Sequence, residues 1–212
     1  LADRDFPDDG KSFVFSYNEI NGDHMAKTQV KRMPYRTYSG PVTYADSEAW
    51  LAADNTSEIK KRIQAILWAE APITEHLLEK RLINSYGIVR NAVKIRGKLE
   101  GILKTMDLKV TADGQTPVYW HISQDPGSYS FFRTAENEES KRDVLDIPYR
   151  EAANAALYVL RKQGAMSEEE LKKQTSLLLG YKSMKGNVEL IMDEAVKFAV
   201  REKIILTKHA KL

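Results

Sequence analysis

The chain repeats itself. Shifted by 93 residues, Leu67 falls on Leu160, Ile73 on Met166, Thr74 on Ser167, Glu75 on Glu168, Leu78 on Leu171, Gly87 on Gly180, Ile95 on Val188 and Leu99 on Met192. One offset holding across so many apolar and turn positions requires two copies of one element order. The first copy is the easier to read. It predicts a short strand over 71–74, a helix over 75–83, a turn at Tyr86-Gly87, a second helix over 89–106 and a hairpin over 108–120. That order is a helix-turn-helix followed by a wing. The second helix places Ile95, Leu99, Ile102, Leu103 and Met106 on one face at helical spacing, so this face is core. Arg90, Val93, Lys94, Gly97, Gly101 and Lys104 project the other way.

A further helix precedes the motif, with Ser57 as its expected N-cap and Ile59, Ile63, Ile66 and Leu67 as its buried stripe. It stops near Pro72, which cannot continue a helix. Thr74 is placed to cap the next helix, which buries Leu77, Leu78 and Leu82. Ala112-Asp113-Gly114-Gln115 reads as the hairpin turn. In the second copy Ser167 and Glu170 form a capping box. Residues 204–207 match the first wing strand, but no return strand comes after them, so the second module is expected to carry at most half a wing.

The remaining segments divide by charge. The net of +2 hides −3 over 1–56, +4 over 57–120, −3 over 121–147 and +4 over 148–212. We therefore expect an extended N-terminal arm (1–56), a first winged-helix module (57–120), an acidic linker (121–147) and a second winged-helix-like module (148–212). The fold class is mainly α with short β wings. Within the arm, Phe13, Phe15 and Tyr17 alternate as in a strand, Asn21-Gly22 is a turn signal, and residues 27–33 are the expected partner strand of a β-hairpin. Pro34, Tyr35, Tyr38, Gly40, Pro41 and Tyr44 suggest an extended segment anchored by aromatics, and 46–53 one or two helical turns. Lys31, Arg32 and Arg36 among the tyrosines offer a nucleic-acid arm, against which the local net charge of −3 speaks.

Several chemistries are disfavoured. Cysteine is absent, which removes disulfides and thiolate metal sites and fits a reducing, cytoplasmic setting. No apolar run approaches the roughly 18 residues of a membrane span. Gly10-Lys11-Ser12 resembles the tail of a phosphate-binding loop, but Asp5 stands where the first glycine belongs. His24, His76, His121 and His209 lack ligand spacing, and Asp3, Asp5, Asp8 and Asp9 cluster in what reads as a leader. No catalytic residue, metal or cofactor is expected. The opening at Leu1 rather than methionine suggests a piece of a longer protein.

The basic face of the first module is the candidate site. In a winged helix the second helix of the motif lies in the major groove while its neighbours and the wing touch phosphates. Arg90 and Lys94 are placed for the groove, Lys98 and Lys104 flank them, and Lys80, Arg81 and Lys109 are expected at the backbone. Gly97 and Gly101 each cost about 1 kcal/mol against alanine within a helix. With Val93 they form a smooth strip on which a phosphate strand, another helix of this chain or another protein can approach closely. On the second long helix Leu190 points outward beside Ser183, Gly186, Asn187, Asp193, Glu194 and Lys197, a mixed surface that suits a protein partner better than DNA.

Glu70-Ala71-Pro72-Ile73, Leu77-Leu78, Arg81-Leu82, Tyr86-Gly87 and the run from Lys94-Ile95-Arg96 to Leu99-Glu100 resemble domain of unknown function 3320. Ile147-Pro148, Leu157 to Leu160, Glu169-Glu170-Leu171, Leu178-Leu179-Gly180-Tyr181-Lys182 and Val188 to Ala195 are similar to the region C-terminal to that domain in its family. The resemblance covers roughly 57–206. It implies a place near the C-terminal end of large bacterial proteins that carry a superfamily I helicase core and often a nuclease-fold domain. It carries over no catalytic residues. Ser183, Asn187 and Leu190 stand where the family often has arginines. The expected function is thus a non-catalytic accessory that binds duplex or forked DNA non-specifically, with helicase and nuclease-like domains of a parent chain as further partners. The alternative is a docking module without DNA contact.

Overall fold

The computed structural model describes residues 13–17, 29–88 and 92–209. Its elements are β1 (Phe13–Ser16), β2 (Lys31–Pro34), α1 (Ser47–Ala52), α2 (Thr56–Glu70), β3 (Ile73–Thr74), α3 (Glu75–Ser85), α4 (Ala92–Lys104), β4 (Lys109–Asp113), β5 (Thr116–Trp120), β6 (Phe131–Thr134), α5 (Tyr149–Gln163), β7 (Met166–Ser167), α6 (Glu168–Leu178), α7 (Asn187–Arg201) and β8 (Leu206–His209). About half of the structure is helical, with three small sheets among the described residues. It is a mixed α/β fold rather than the mainly helical one expected.

The chain divides into two compact units, neither contiguous in sequence. A central unit holds Met33–Tyr129 and Arg133–Pro148; a C-terminal unit holds Tyr149–Leu212 with Leu1–Arg32 and Ser130–Phe132. The segment read as an arm is shared between them. The segment read as a linker carries β6 and a 3-10 turn over Val144–Asp146, and it buries Phe132, Val144 and Ile147.

In the central unit, α2 buries Ile59, Ile63, Ile66 and Leu67 and ends where Ala71 precedes Pro72. Ser57 is not its cap. The helix starts from Asn55, whose side-chain amide donates to the Trp50 carbonyl instead of capping. Thr74 caps α3 by accepting from the Leu77 N–H at 3.4 Å. Leu77, Leu78 and Leu82 of α3 then meet Ile95, Leu99, Ile102 and Leu103 of α4 in one core cluster. The hairpin β4–β5 closes with Asp113 opposite Thr116, leaving Gly114 and Gln115 as the loop. Gly114 has φ +62, the first central position of a II′ turn, where glycine is free of the Cβ clash. On its other edge β5 pairs antiparallel with β3, giving the order β3-β5-β4.

The C-terminal unit repeats this plan at the same spacing. α2 and α5, β3 and β7, and α3 and α6 are matched in length and displaced by 93 residues. Ser167 caps α6 by accepting from the Glu170 N–H, but the Glu170 carboxylate takes the Gln174 amide rather than closing a capping box. The third sheet strand comes from elsewhere in the chain. β1 lies between β7 and β8, antiparallel to both, with Phe15 opposite Met166 on one side and Thr207 on the other. The order β7-β1-β8 reproduces β3-β5-β4. Two expectations change as a result. β1 and β2 form no hairpin, since β2 pairs with β6, and the strand over 206–209 belongs to a three-stranded sheet rather than standing as half a wing. A central position satisfies both hydrogen-bonding edges of β1 and buries Phe15 to 1 % exposure, neither of which a lone two-stranded hairpin provides.

Candidate nucleic-acid interface

The outward side of α4 is open. Val93 is 82 % exposed, and Lys94, Gly97, Glu100, Gly101 and Lys104 are exposed with it. A Cβ built on Gly97 or Gly101 would meet nothing within 4 Å. Lys94 and Lys104 form no ion pair or hydrogen bond among the described residues, and the same holds for exposed Lys80 on α3. Arg90 lies outside the described residues.

The other three expected phosphate-binding cations are occupied within the protein. Arg81 donates from Nε to both oxygens of Glu70, at 2.8 and 3.0 Å. Glu70 is fully buried and also accepts from the Tyr35 hydroxyl and the Tyr38 N–H. Burial and the adjacent carboxylate push the Tyr35 phenol well above its usual range, while Glu70 raises Arg81 against the opposing effect of its own burial. Lys98 turns back along α4 and donates to the carbonyls of Trp50, Leu51 and Ala53, satisfying the C-terminal end of α1. Its ammonium sits 4.9 Å from the Trp50 ring centroid, and desolvation lowers its pKa. Lys109 holds the turn after β5 through the carbonyls of Ile122 and Gln124. All three are structural cations, because a buried carboxylate or an orphaned carbonyl leaves a strong acceptor that has to be met.

Carboxylates flank the open face. Glu79 is buried beside Arg96, which donates to it at 2.9 Å, and desolvation raises its pKa against that favourable pairing. Glu75 accepts from the Tyr119 hydroxyl. Glu75 and Glu100 line a groove of about 400 Å³ with Lys104, Leu108, Val110 and Tyr119. The basic character of the face is therefore confined to α4 and to Lys80 at the middle of α3.

Two further arrangements lie outside the residues expected at the site. Arg62 spans the turn into α4. It donates to the Ser85 carbonyl at 2.7 Å, to the Thr43 hydroxyl and to Glu58, and it stacks 4.2 Å over the Tyr86 ring. Trp68 is 75 % exposed on α2. The signal for Trp68 is its place beside Leu67, off the Ile59–Ile63–Ile66 stripe. On α7, Leu190 is 54 % exposed, whereas Asp193 and Glu194 are taken up by Lys172 and Lys197. Among the described residues no cluster of three or more His, Asp or Glu is placed to hold a metal, and no helix is long and apolar enough to cross a membrane. The chain matches no protein-family model, no curated protein and no solved structure.

Proposed function

We propose that this chain is a non-catalytic accessory region of a bacterial helicase-type protein, and that its central unit holds duplex or forked DNA as a winged helix without sequence preference. The observation that carries the reading is the layout of α3, the Gly87 turn, α4 and the β4–β5 hairpin, with β3 paired on β5 and the outward face of α4 open. In such a layout the second helix enters the major groove and the hairpin rests on the flank. Lys94 and Lys104 on α4, Lys80 on α3 and Arg90 at the approach to α4 supply the charge. Gly97 and Gly101 let a sugar-phosphate strand come close to the helix backbone.

With three or four phosphates neutralised, log Kd changes with log salt by about 3 to 4. The test is anisotropy of labelled duplex, forked and single-stranded DNA over a salt series, with wild type, Arg90→Ala/Lys94→Ala and Lys98→Ala. Binding that weakens in the double variant, with a salt slope reduced by about 2 and little changed in Lys98→Ala, supports the reading. Equal, poor binding by wild type and double variant at low salt refutes it.

A second reading is favoured by one observation: apolar Val93 stands 82 % exposed on the α4 face. A protein docking surface on α4, with another at Leu190 on α7, accounts for that valine without DNA.

A further inference from the structure

The chain has three tryptophans, of which Trp50 and Trp120 are buried and Trp68 stands in solvent. An indole left exposed forgoes the burial of roughly 150–250 Å² of surface. Trp68 is nevertheless held in place. The His121 ring meets it edge-on, with centroids 4.8 Å apart and an interplanar angle of 79°. The turn bearing His121 is itself pinned: the His121 N–H donates to the Gln124 side-chain carbonyl, the Gln124 amide donates to the Ala71 carbonyl, and Lys109 donates to the carbonyls of Ile122 and Gln124. Ser123 Oγ lies 2.7 Å from His121 Nδ1.

From Trp68 the exposed side of α2 runs back through Ala65 and Gln64 to Lys61, two helical turns or about 10 Å away. Lys60, Lys61 and Gln64 line a surface groove of about 840 Å³ with Thr56, Ser57 and Met106; Asp54 and Asp107 also line it. Between Glu58 and Glu70, α2 carries no carboxylate.

We propose that this face of α2 is a stacking platform for an unpaired nucleotide strand, with Trp68 receiving a base and Lys61 a phosphate. An exposed lysine on the same helix face as an oriented aromatic ring suits single-stranded nucleic acid, because every base has a π-face and the backbone needs only charge. The carboxylates of the groove, Asp54 and Asp107, lie off the stretch of α2 between Lys61 and the ring. A duplex hides its base faces within the stack and cannot use the ring. A protein partner would favour a contiguous apolar patch; here the ring meets the His121 imidazole, exposed Gln64 and Lys61 follow one and two turns back along α2, and Ile122 is the one large apolar side chain exposed on the neighbouring turn. The site is separate from the α4 face, so it extends the proposed function to the single-stranded arm of a fork and can fail independently of it.

The test uses the full chain and four titrants: oligothymidylate, oligouridylate, a blunt duplex and buffer alone. Because Trp68 is the exposed tryptophan, unpaired oligonucleotide should quench the emission, and the duplex should do so far less. Labelled oligothymidylate should bind Trp68→Ala about tenfold or more weakly and Trp68→Phe within a few-fold of wild type. Lys61→Gln should lower the salt slope by about 0.7. Comparing oligothymidylate with oligouridylate tells whether the strand is DNA or RNA. Unchanged affinity in Trp68→Ala, quenching as strong with duplex as with oligothymidylate, or no binding at low salt would overturn the proposal. A concentration-dependent emission change in buffer alone would overturn it in favour of a protein occupant. Arg90→Ala/Lys94→Ala should leave oligothymidylate quenching in place even where duplex binding is lost.

Discussion

Phe15→Ala puts the completed C-terminal sheet at stake. Phe15 sits at 1 % exposure in a strand bonded on both edges, and truncating a buried phenylalanine to alanine costs about 3–5 kcal/mol. A domain of this size has about 5–15 kcal/mol in all. With a urea m-value of about 1–1.5 kcal/mol/M for roughly 100 residues, the midpoint of the C-terminal unit should fall by about 2–5 M. The protein supplies its own control, since Trp50, Trp68 and Trp120 all belong to the central unit. Tryptophan emission therefore reports one unit and far-UV circular dichroism reports both. In Phe15→Ala the dichroism transition should broaden or split toward low urea while the emission transition stays within about 0.5 M of wild type. Phe15→Leu, a milder change of about 1–1.5 kcal/mol, should move the same part of the curve by about 1 M. An unchanged dichroism transition, or a shift seen in emission alone, would mean that β1 does not complete the C-terminal sheet.

Arg81→Ala leaves the Glu70 carboxylate buried with only Tyr35 and Tyr38 as donors, and breaking a buried pair from one side costs about 3–5 kcal/mol; urea unfolding read by tryptophan emission should show it. Gly97→Ala and Gly101→Ala each remove a helical glycine where a Cβ meets nothing within 4 Å. Each should add up to about 1 kcal/mol of stability, and together they should weaken duplex binding if a strand approaches the strip closely; unchanged affinity in both variants would place the DNA elsewhere. Glu79 titrates above the ordinary carboxylate range, chiefly because of burial. The folded state therefore holds this proton more tightly than the unfolded chain. Its contribution to stability is largest below the ordinary carboxylate pKa and is lost as pH rises through the raised value. Stability measured across that interval should fall less steeply in Glu79→Gln than in wild type, and an identical slope would refute the assignment.

Much of the central unit was legible because its signals are local. The Ile95–Leu99–Ile102–Leu103 stripe, the Thr74 cap and the Gly114 turn each depend on residues a few positions apart, and all three are in the structure. The path of β1 was not legible. Alternation marks a strand but does not say which edge receives it, and its partners lie some 150 residues away at β7 and 190 at β8. Helical projection likewise separated the outward face of α4 from its core face, yet it could not show that Lys98 folds back onto α1. Glu70 looks like a surface residue at a helix end, where its carboxylate is in fact buried by Tyr35, Tyr38 and Arg81, two of them from the segment read as an arm. The candidate site shrank for that reason: tertiary acceptors claimed three of its seven cations.

The measurement that bears most directly on the central claim is a methyl NMR titration of the full chain with a short duplex. Val93 on α4 and Leu190 on α7 are both exposed methyl-bearing side chains, one on the proposed DNA face and one in the C-terminal unit. On addition of duplex the Val93 methyl signals should shift in proportion to occupancy, with Leu190 unmoved and the effect reversed by salt. Val93 signals that stay fixed while duplex binds, or that move only when a protein partner is added, would contradict the assignment of α4 to DNA.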